Sequence, residues 1–215
     1  MRNYDTVIFD LDGTLLDTLE DLTDSVNYAM LKSGFPERSL EEVRNFVGNG
    51  IVRLMELAVP DGKGNPLFKD TFDTFKQHYS QNSRNKTKLY PGIMELLREL
   101  HEAGYKLAIV SNKYHDAVSD LNNLYFKQYI SVKIGEKENI RKKPAPDTVL
   151  QALRELGSVK ERALYVGDSE VDIETARNVG MDCVMVSWGF RGRDKLKECG
   201  AERIVDRPED ILKLL

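Results

Sequence analysis

Apolar residues along this chain follow two rhythms, and the change between them divides it. Residues 4–10 form a nearly continuous apolar run around Val7-Ile8-Phe9, which predicts a strand buried on both faces. After Thr14 the spacing becomes helical. Leu19, Leu22, Val26, Ala29 and Met30 share one face, with Gly34 as the stop. Ser39 stands three residues before Glu42, the signature of a capping box, and opens a short helix carrying Val43, Phe46 and Val47 that ends at Gly48. Residues 51–59 predict another helix, and the Pro60-to-Pro66 stretch a loop. Phe68, Phe72, Phe75 and Tyr79 then fall on one helical face. Residues 15–85 thus read as helices with no strand, closed by a polar linker at 81–86.

Beyond the linker, strand and helix alternate. Pro91-Gly92 opens a helix with Ile93, Leu96, Leu97 and Leu100 inward, stopped at Gly104. Strands are predicted at 106–110, 130–134, 163–166, 183–186 and 203–205. Helices are predicted at 115–124, from a cap at Asp147 through Val149, Leu150, Leu153 and Leu156 to Gly157, and at 171–179 before Gly180. Such alternation implies an α/β fold whose parallel sheet is covered on both faces.

Composition narrows the function classes. The chain has 215 residues, 41% hydrophobic and 31% charged, as in ordinary globular proteins with room for one large or two modest domains. A net charge of -4 argues against a dedicated nucleic-acid binder, which needs a basic face. It leaves a small anionic substrate open, because a metal or a lysine reverses the sign of one cleft. Cys183 and Cys199 make neither a metal-spaced pair nor a disulfide framework, and Cys183 reads as a buried small hydrophobe. His78, His101 and His115 form no ligand cluster, and His101 falls on a surface or boundary position. No G-x-S-x-G elbow is present. The N-terminus enters a strand without a signal peptide. No apolar run approaches the roughly 18 residues of a transmembrane helix, so a cytoplasmic protein is expected.

In open parallel sheets, sites lie beyond the carboxyl ends of the strands. The first strand ends in Asp10-Leu11-Asp12-Gly13-Thr14. Residues two apart in a strand share a face, so Asp10 and Asp12 converge if extended backbone persists through Leu11. Gly13 then permits a sharp turn. Two like charges this close raise one carboxyl's pKa unless a cation intervenes. The second strand ends at Ser111-Asn112, and another at Gly167-Asp168-Ser169 with Asp172 beyond. Lys142-Lys143-Pro144-Ala145-Pro146-Asp147 lies between them, its prolines stiffening the segment. Taken singly, Ser111-Asn112 and Asp168 also suit helix caps, and the lysines suit solvated charges. Together they suit phosphoryl transfer, in which positioned cations and donors offset the repulsion between a carboxylate and a phosphate dianion.

These residues resemble the haloacid dehalogenase-like superfamily of aspartate-nucleophile phosphatases. The resemblance rests on Asp10-Leu11-Asp12-Gly13-Thr14, Ser111-Asn112, Lys143 and Gly167-Asp168-Ser169-Glu170-Val171-Asp172, in that order, and covers essentially the whole chain. It implies a Rossmann-like α/β core at 1–14 and 86–215 with an inserted all-helical cap domain of four or five helices at 15–85. Asp17-Thr18 and residues 86–88 would serve as hinges as the cap closes over the core and selects the substrate.

The resemblance further implies that Asp10 attacks phosphorus while Asp12 protonates the leaving group and then activates water. Asp10, the Asp12 carbonyl and Asp168 would hold Mg²⁺. Thr14, Ser111, Asn112 and Lys143 would bind the phosphoryl group. Gly13, Ser169 and Asp172 would support the site, Asp172 through water or Lys143. Lys113 and Lys142 are candidates for exposed charges and are assigned no role. Val47-Gly48-Asn49-Gly50 and Val186-Ser187-Trp188-Gly189-Phe190-Arg191 are most similar to phosphoglycolate phosphatases, although Gly48-Asn49-Gly50 also reads as a helix-ending turn. A small phosphorylated metabolite is the expected substrate, with no nucleic acid or membrane partner and a monomeric or homodimeric state. A phosphomutase, a pyrophosphatase or a nucleotidase would keep the same core motifs. The acid at Asp12 argues for a phosphoryl substrate, since dehalogenases need none there.

Overall fold

The computed structural model describes residues 4–215. Its chain divides into two units, one made of residues up to Leu15 together with Leu89–Leu215, the other of Leu16–Lys88.

The first unit opens with β1 (Thr6–Phe9). Outside it, β2 (Leu16–Asp17), α1 (Leu19–Lys32), α2 (Leu40–Phe46), α3 (Gly50–Ala58) and α4 (Phe68–Asn82) lead to β3 (Lys88–Leu89). The first unit then continues with α5 (Ile93–Glu102), β4 (Lys106–Tyr114), α6 (His115–Leu121), β5 (Val132–Glu136), α7 (Asp147–Leu156) and β6 (Ala163–Gly167). It ends with α8 (Glu170–Val179), β7 (Asp182–Val186), α9 (Gly192–Glu198), β8 (Ile204–Val205) and α10 (Glu209–Leu212).

Six strands form one parallel sheet in the order β5-β4-β1-β6-β7-β8. The chain fills one side of β1 with β4 and β5, then crosses to the other with β6, β7 and β8. The ends of β4, β1 and β6 therefore stand side by side at the point where the strand order reverses, which is where such sheets place their sites. Register pairs Ile8 with both Ala108 and Tyr165. That row packs with Val149, Ala152 and Leu153 of α7 and Ala176 and Val179 of α8. The alternate residues Val7, Phe9, Leu107, Ile109, Leu164 and Val166 are buried as well, so neither face of the central strands meets water. This is why their sequences run apolar rather than alternating.

The helical unit holds Leu22, Val26, Ala29 and Met30 of α1 inside, and its longest helices, α1 and α4, pack together. Ser39 caps α2 through the expected reciprocal bonds with Glu42. In α4 the expected aromatic stripe is only half inward. Phe75 and Tyr79 are buried, whereas Phe68 and Phe72 stack on each other at the partly exposed end. Asp21 closes the unit: its buried carboxylate accepts the Lys86 and Thr87 amides and the Thr87 hydroxyl at 2.8–3.1 Å.

Several expectations shift. A two-residue strand, β2, occurs where none was expected. Strand β4 runs on to Tyr114, taking Ser111 and Asn112 inside it, and breaks register with β5 between Val110 and Tyr114. Asp147 does not cap α7. Pro146 holds the cap position, and the Asp147 carboxylate pairs with Arg141 at 2.9–3.0 Å. Leu150 lies on the exposed side of α7, and Cys183 is half-buried at the edge of the core. Among the described residues, no helix is long and apolar enough to cross a membrane.

Candidate active site

Strand β1 stops at Phe9, so the chain leaves the sheet with Asp10. The Asp10 amide still donates to the Val166 carbonyl of β6 at 2.8 Å, which fixes the residue over the centre of the sheet. Extended backbone does not persist through Leu11. The Thr14 and Leu15 amides turn back onto the Leu11 carbonyl at 3.3 and 3.0 Å, and Gly13 takes φ +88°. A side chain at Gly13 would run into Asp168 Oδ2 and the Phe190 ring. Glycine is needed there for both reasons.

The two carboxylates of the turn have separate lysines. Lys143 Nζ lies 2.7 Å from Asp10 Oδ1 and 2.7 Å from Asp172 Oδ1, and it donates to the Tyr165 hydroxyl at 3.1 Å. Lys113 Nζ lies 2.8 Å from Asp12 Oδ1. Lys113 is therefore buried and paired, not an exposed charge. The signal was its position two residues after Ser111, the strand period. Lys142 sits at the surface within 3.9 Å of Glu136.

The loop of Lys143 is tied to its neighbours through backbone carbonyls. The Asn112 side-chain amide donates to the Lys143 carbonyl at 3.0 Å, and that of Asn178 to the Pro144 carbonyl at 2.9 Å. Ser111 is buried and its hydroxyl accepts the Lys113 amide at 3.2 Å. Thr14 Oγ1 is buried with no partner among the described residues, while the Thr14 carbonyl accepts the Trp188 indole N–H at 3.0 Å.

Beyond β6, Asp172 closes the first turn of α8. Its Oδ2 accepts the Asp168 and Ser169 amides and the Ser169 hydroxyl, at 3.2, 3.1 and 2.7 Å. Its Oδ1 accepts Lys143 and the Tyr165 hydroxyl, the latter at 2.9 Å. Asp168 uses one oxygen to accept the Phe190 amide at 2.7 Å. The 187–190 loop thus reaches the site through Trp188, Gly189 and Phe190. Nothing in the sequence marks Tyr165 as a site part, and the loop stands out there only by its likeness to phosphoglycolate phosphatases.

Electrostatics follow from burying three carboxylates, with Asp12 half-buried beside them, among two ammoniums. Burial pushes the Asp10 carboxyl up to about 7, with Lys143 opposing and Asp172, then Asp12, adding to it. The like charge of Asp12 is thus the smaller cause. Burial, Asp172 and Asp10 push Asp168 well above the usual carboxylate range. Burial also acts to raise Asp172, but Lys143, Ser169 and Tyr165 hold it below its ordinary value. Burial opposes the Lys143 charge, and Asp10 and Asp172 outweigh it, so its pKa rises.

One carboxylate oxygen from each of Asp10, Asp168 and Asp172 falls within a 4.8 Å cluster of the size a metal ion uses. Both oxygens of Asp172 are already engaged by donors, so it is the poorest ligand of the three. Asp10 and Asp168 each keep an oxygen that accepts no hydrogen bond among the described residues. All-oxygen donors with few protein contacts suit Mg²⁺, and a cation relieves the repulsion that raises both carboxyls. These residues fit the group.

The family model for haloacid dehalogenase-like hydrolases matches residues 7–186. A phosphoglycolate phosphatase of Aquifex aeolicus is 33% identical over 97% of this chain and 95% of its own length. One from Nitrosococcus oceani is 31% identical over 100% and 98%. The crystal structure of a Lactobacillus delbrueckii subsp. bulgaricus protein superposes with a TM-score of 0.94, at 36% identity, over 99% of this chain and 98% of that one. With a sheet whose central strand ends in paired aspartates, and likeness along nearly all its length, the chain belongs to the haloacid dehalogenase-like hydrolases.

Proposed function

We propose that this protein is a Mg²⁺-dependent phosphatase that hydrolyses a small phosphate monoester through an aspartyl-phosphate on Asp10, with phosphoglycolate as the favoured substrate. One observation carries the reading. The carboxylate at the middle of three adjacent strand ends has one oxygen held by a buried lysine and the other without a donor among the described residues. The substrate rests on likeness to the phosphoglycolate phosphatases above.

In this reading Asp10 attacks phosphorus and forms the acyl phosphate as the ester oxygen leaves. Asp12 gives its proton to that oxygen, then takes one from the water that attacks the acyl phosphate, releasing inorganic phosphate and restoring Asp10. Lys143, the Ser111 hydroxyl, the Asn112 amide and Thr14 hold the phosphoryl oxygens. Asp172, supported by Ser169, anchors Lys143 and takes no direct part. Gly13 leaves room for Asp168. Asp10, the Asp12 carbonyl and Asp168 would hold Mg²⁺, which when bound supplies positive charge between nucleophile and phosphoryl dianion. Residues 16–88 are proposed as a cap domain.

Phosphate release from a panel of esters with Mg²⁺, phosphoglycolate included, tests the substrate. Hydrolysis in ¹⁷O-water of a phosphorothioate ester made chiral with ¹⁶O and ¹⁸O tests for the covalent intermediate. Retention of configuration at phosphorus, the outcome of two in-line displacements, is expected, and inversion refutes the acyl phosphate. Asp10→Asn should abolish hydrolysis, and Asp12→Ala should slow it roughly 10²–10⁴-fold.

A further inference from the structure

The reaction as proposed has work for Lys143 and leaves Lys113 without any. Yet Lys113 is as carefully placed. Its side chain is 5% exposed, that of Asp12 18%, and the two charged groups meet at 2.8 Å. A lysine is rarely buried unless paired, so pairing explains why it stays inside but not why a lysine stands there at all.

Its location distinguishes it. Lys143 stands at Asp10, the phosphorus side of the site. Lys113 stands at Asp12, and Asp12 is the group proposed to serve the leaving oxygen. The Lys113 ammonium is therefore beside the leaving group rather than the phosphoryl group. Counted formally, Asp10, Asp12, Asp168 and Asp172 carry four negative charges and Lys113 and Lys143 two positive ones. A divalent cation balances the remainder. A phosphate dianion then brings two negative charges, and a leaving group with its own carboxylate brings a third, next to Asp12. Low-dielectric surroundings make that third charge costly unless a cation faces it.

We propose that Lys113 is a specificity-determining residue. It bridges Asp12 and a carboxylate carried by the leaving group, and so selects phosphate esters of short 2-hydroxy acids over those of neutral alcohols. Such a carboxylate is attached to the carbon bonded to the ester oxygen, so it enters the site within a few ångströms of Asp12. An ammonium has three donors, and Lys143 already bridges two carboxylates, Asp10 and Asp172, in this site. The inference rests on the phosphatase reading and deepens it.

The test compares kcat/KM for phosphoglycolate and for 2-hydroxyethyl phosphate, which replaces the carboxylate by a neutral CH₂OH. Wild type should favour phosphoglycolate. Lys113→Met should cut the ratio roughly 10- to 100-fold, the size of one hydrogen bond to a charged group, through KM for phosphoglycolate. Lys113→Arg, which keeps the charge, should restore part of it. Product inhibition of the wild type gives a reading independent of any variant: glycolate should inhibit and ethylene glycol should not. Equal loss on both substrates in Lys113→Met, or equal inhibition by both products, overturns the proposal and leaves the phosphatase reading intact. Hydrolysis of neither ester by wild type takes down both.

Discussion

Lys143 Nζ and Asp172 Oδ1 are 2.7 Å apart, and their side chains are 3% and 0% exposed. Neither charge has bulk water to fall back on, so each depends on its buried partners, Asp10 and Asp172 for the lysine, Lys143 and the donors around Ser169 for Asp172. Asp172 in turn is oriented by two backbone amides and a hydroxyl at the start of α8. The position of the Lys143 ammonium is thereby tied to a helix terminus.

Removing Asp172 leaves the Lys143 ammonium with Asp10 as its one carboxylate partner among the described residues and opens a polar gap in the buried cluster. Asp172→Ala should destabilise the protein by about 3–5 kcal/mol, measured by urea denaturation. Lys143→Ala should lower kcat/KM by roughly 10²–10³-fold, as loss of a positioned charge donor does. An Asp172→Ala variant as stable as wild type would show that Asp10 is enough to compensate the Lys143 charge.

Tyr165 stands behind this pair. Its hydroxyl donates to Asp172 Oδ1 at 2.9 Å and accepts from Lys143 at 3.1 Å. Tyr165→Phe keeps the ring in the β-sheet core and deletes only those bonds. The expected cost is about 1–3 kcal/mol in stability, with a smaller loss of activity than Lys143→Ala because the ammonium keeps Asp10 and Asp172. Activity falling as far as in Lys143→Ala would mean that the hydroxyl, not Asp172, places the lysine.

The legibility of this site in the sequence follows from what a strand end reveals. Asp10, Ser111 and Asp168 each follow an apolar run, and parallel topology then brings those runs together, so three distant residues could be expected at one place. The prolines after Lys143 mark a stiff segment that could hold a lysine in place, but only the family resemblance separates Lys143 from Lys142. Lys113 was not read as part of the site, because a lysine beside a polar pair looks solvated until the strand is known to continue past it. Tyr165 was hidden as one more apolar residue in a core strand. Helix α9, Gly192–Glu198, has only Leu196 buried, too little periodicity to register. Asp147 suits a cap by residue type, but the preceding Pro146 takes that position and Arg141 takes its carboxylate.

Stability without divalent metal should depend on pH with a definite sign. The Asp10 carboxyl goes from an ordinary 3.8 to about 7, first because it is buried. A group that is harder to ionise in the fold binds more protons there than in the unfolded chain, so stability falls as pH rises between those values. The span corresponds to an order of 4 kcal/mol, and Asp168 acts in the same direction. Asp172, lowered in the fold, loses its contribution only below its ordinary value. Lys143, raised, loses its own only well above neutral pH. In EDTA the melting temperature should therefore drop from pH 5 to pH 8. Mg²⁺ should recover it at pH 8 more than at pH 5, since cation and proton compete for the same oxygens. A flat profile in EDTA, or equal recovery at both pH values, would contradict this.

The 187–190 loop supplies the last prediction, because it approaches Asp168 so closely that one methyl group is too many. A Cβ on Gly189 would overlap the Asp168 side chain and the Gly13 carbonyl. Gly189 has no left-handed backbone to strain, so the effect of Gly189→Ala comes from contact alone. Two responses are open to the protein. The loop can withdraw, breaking the Phe190 amide bond to Asp168 Oδ2 and the Trp188 bond to the Thr14 carbonyl. Alternatively, Asp168 can turn away from Asp10. Both separate the carboxylates proposed to share the cation, and both leave the central β-strands untouched. Gly189→Ala should therefore weaken Mg²⁺ binding about tenfold or more, as loss of a supporting contact at a metal site does, with the far-UV spectrum unchanged. Magnesium titration by calorimetry, followed by activity at saturating Mg²⁺, separates weakened binding from a misplaced nucleophile. Activity that returns at high Mg²⁺ assigns the loop to holding Asp168. Activity that stays low would mean that the Gly13 turn, and with it Asp10, had moved instead.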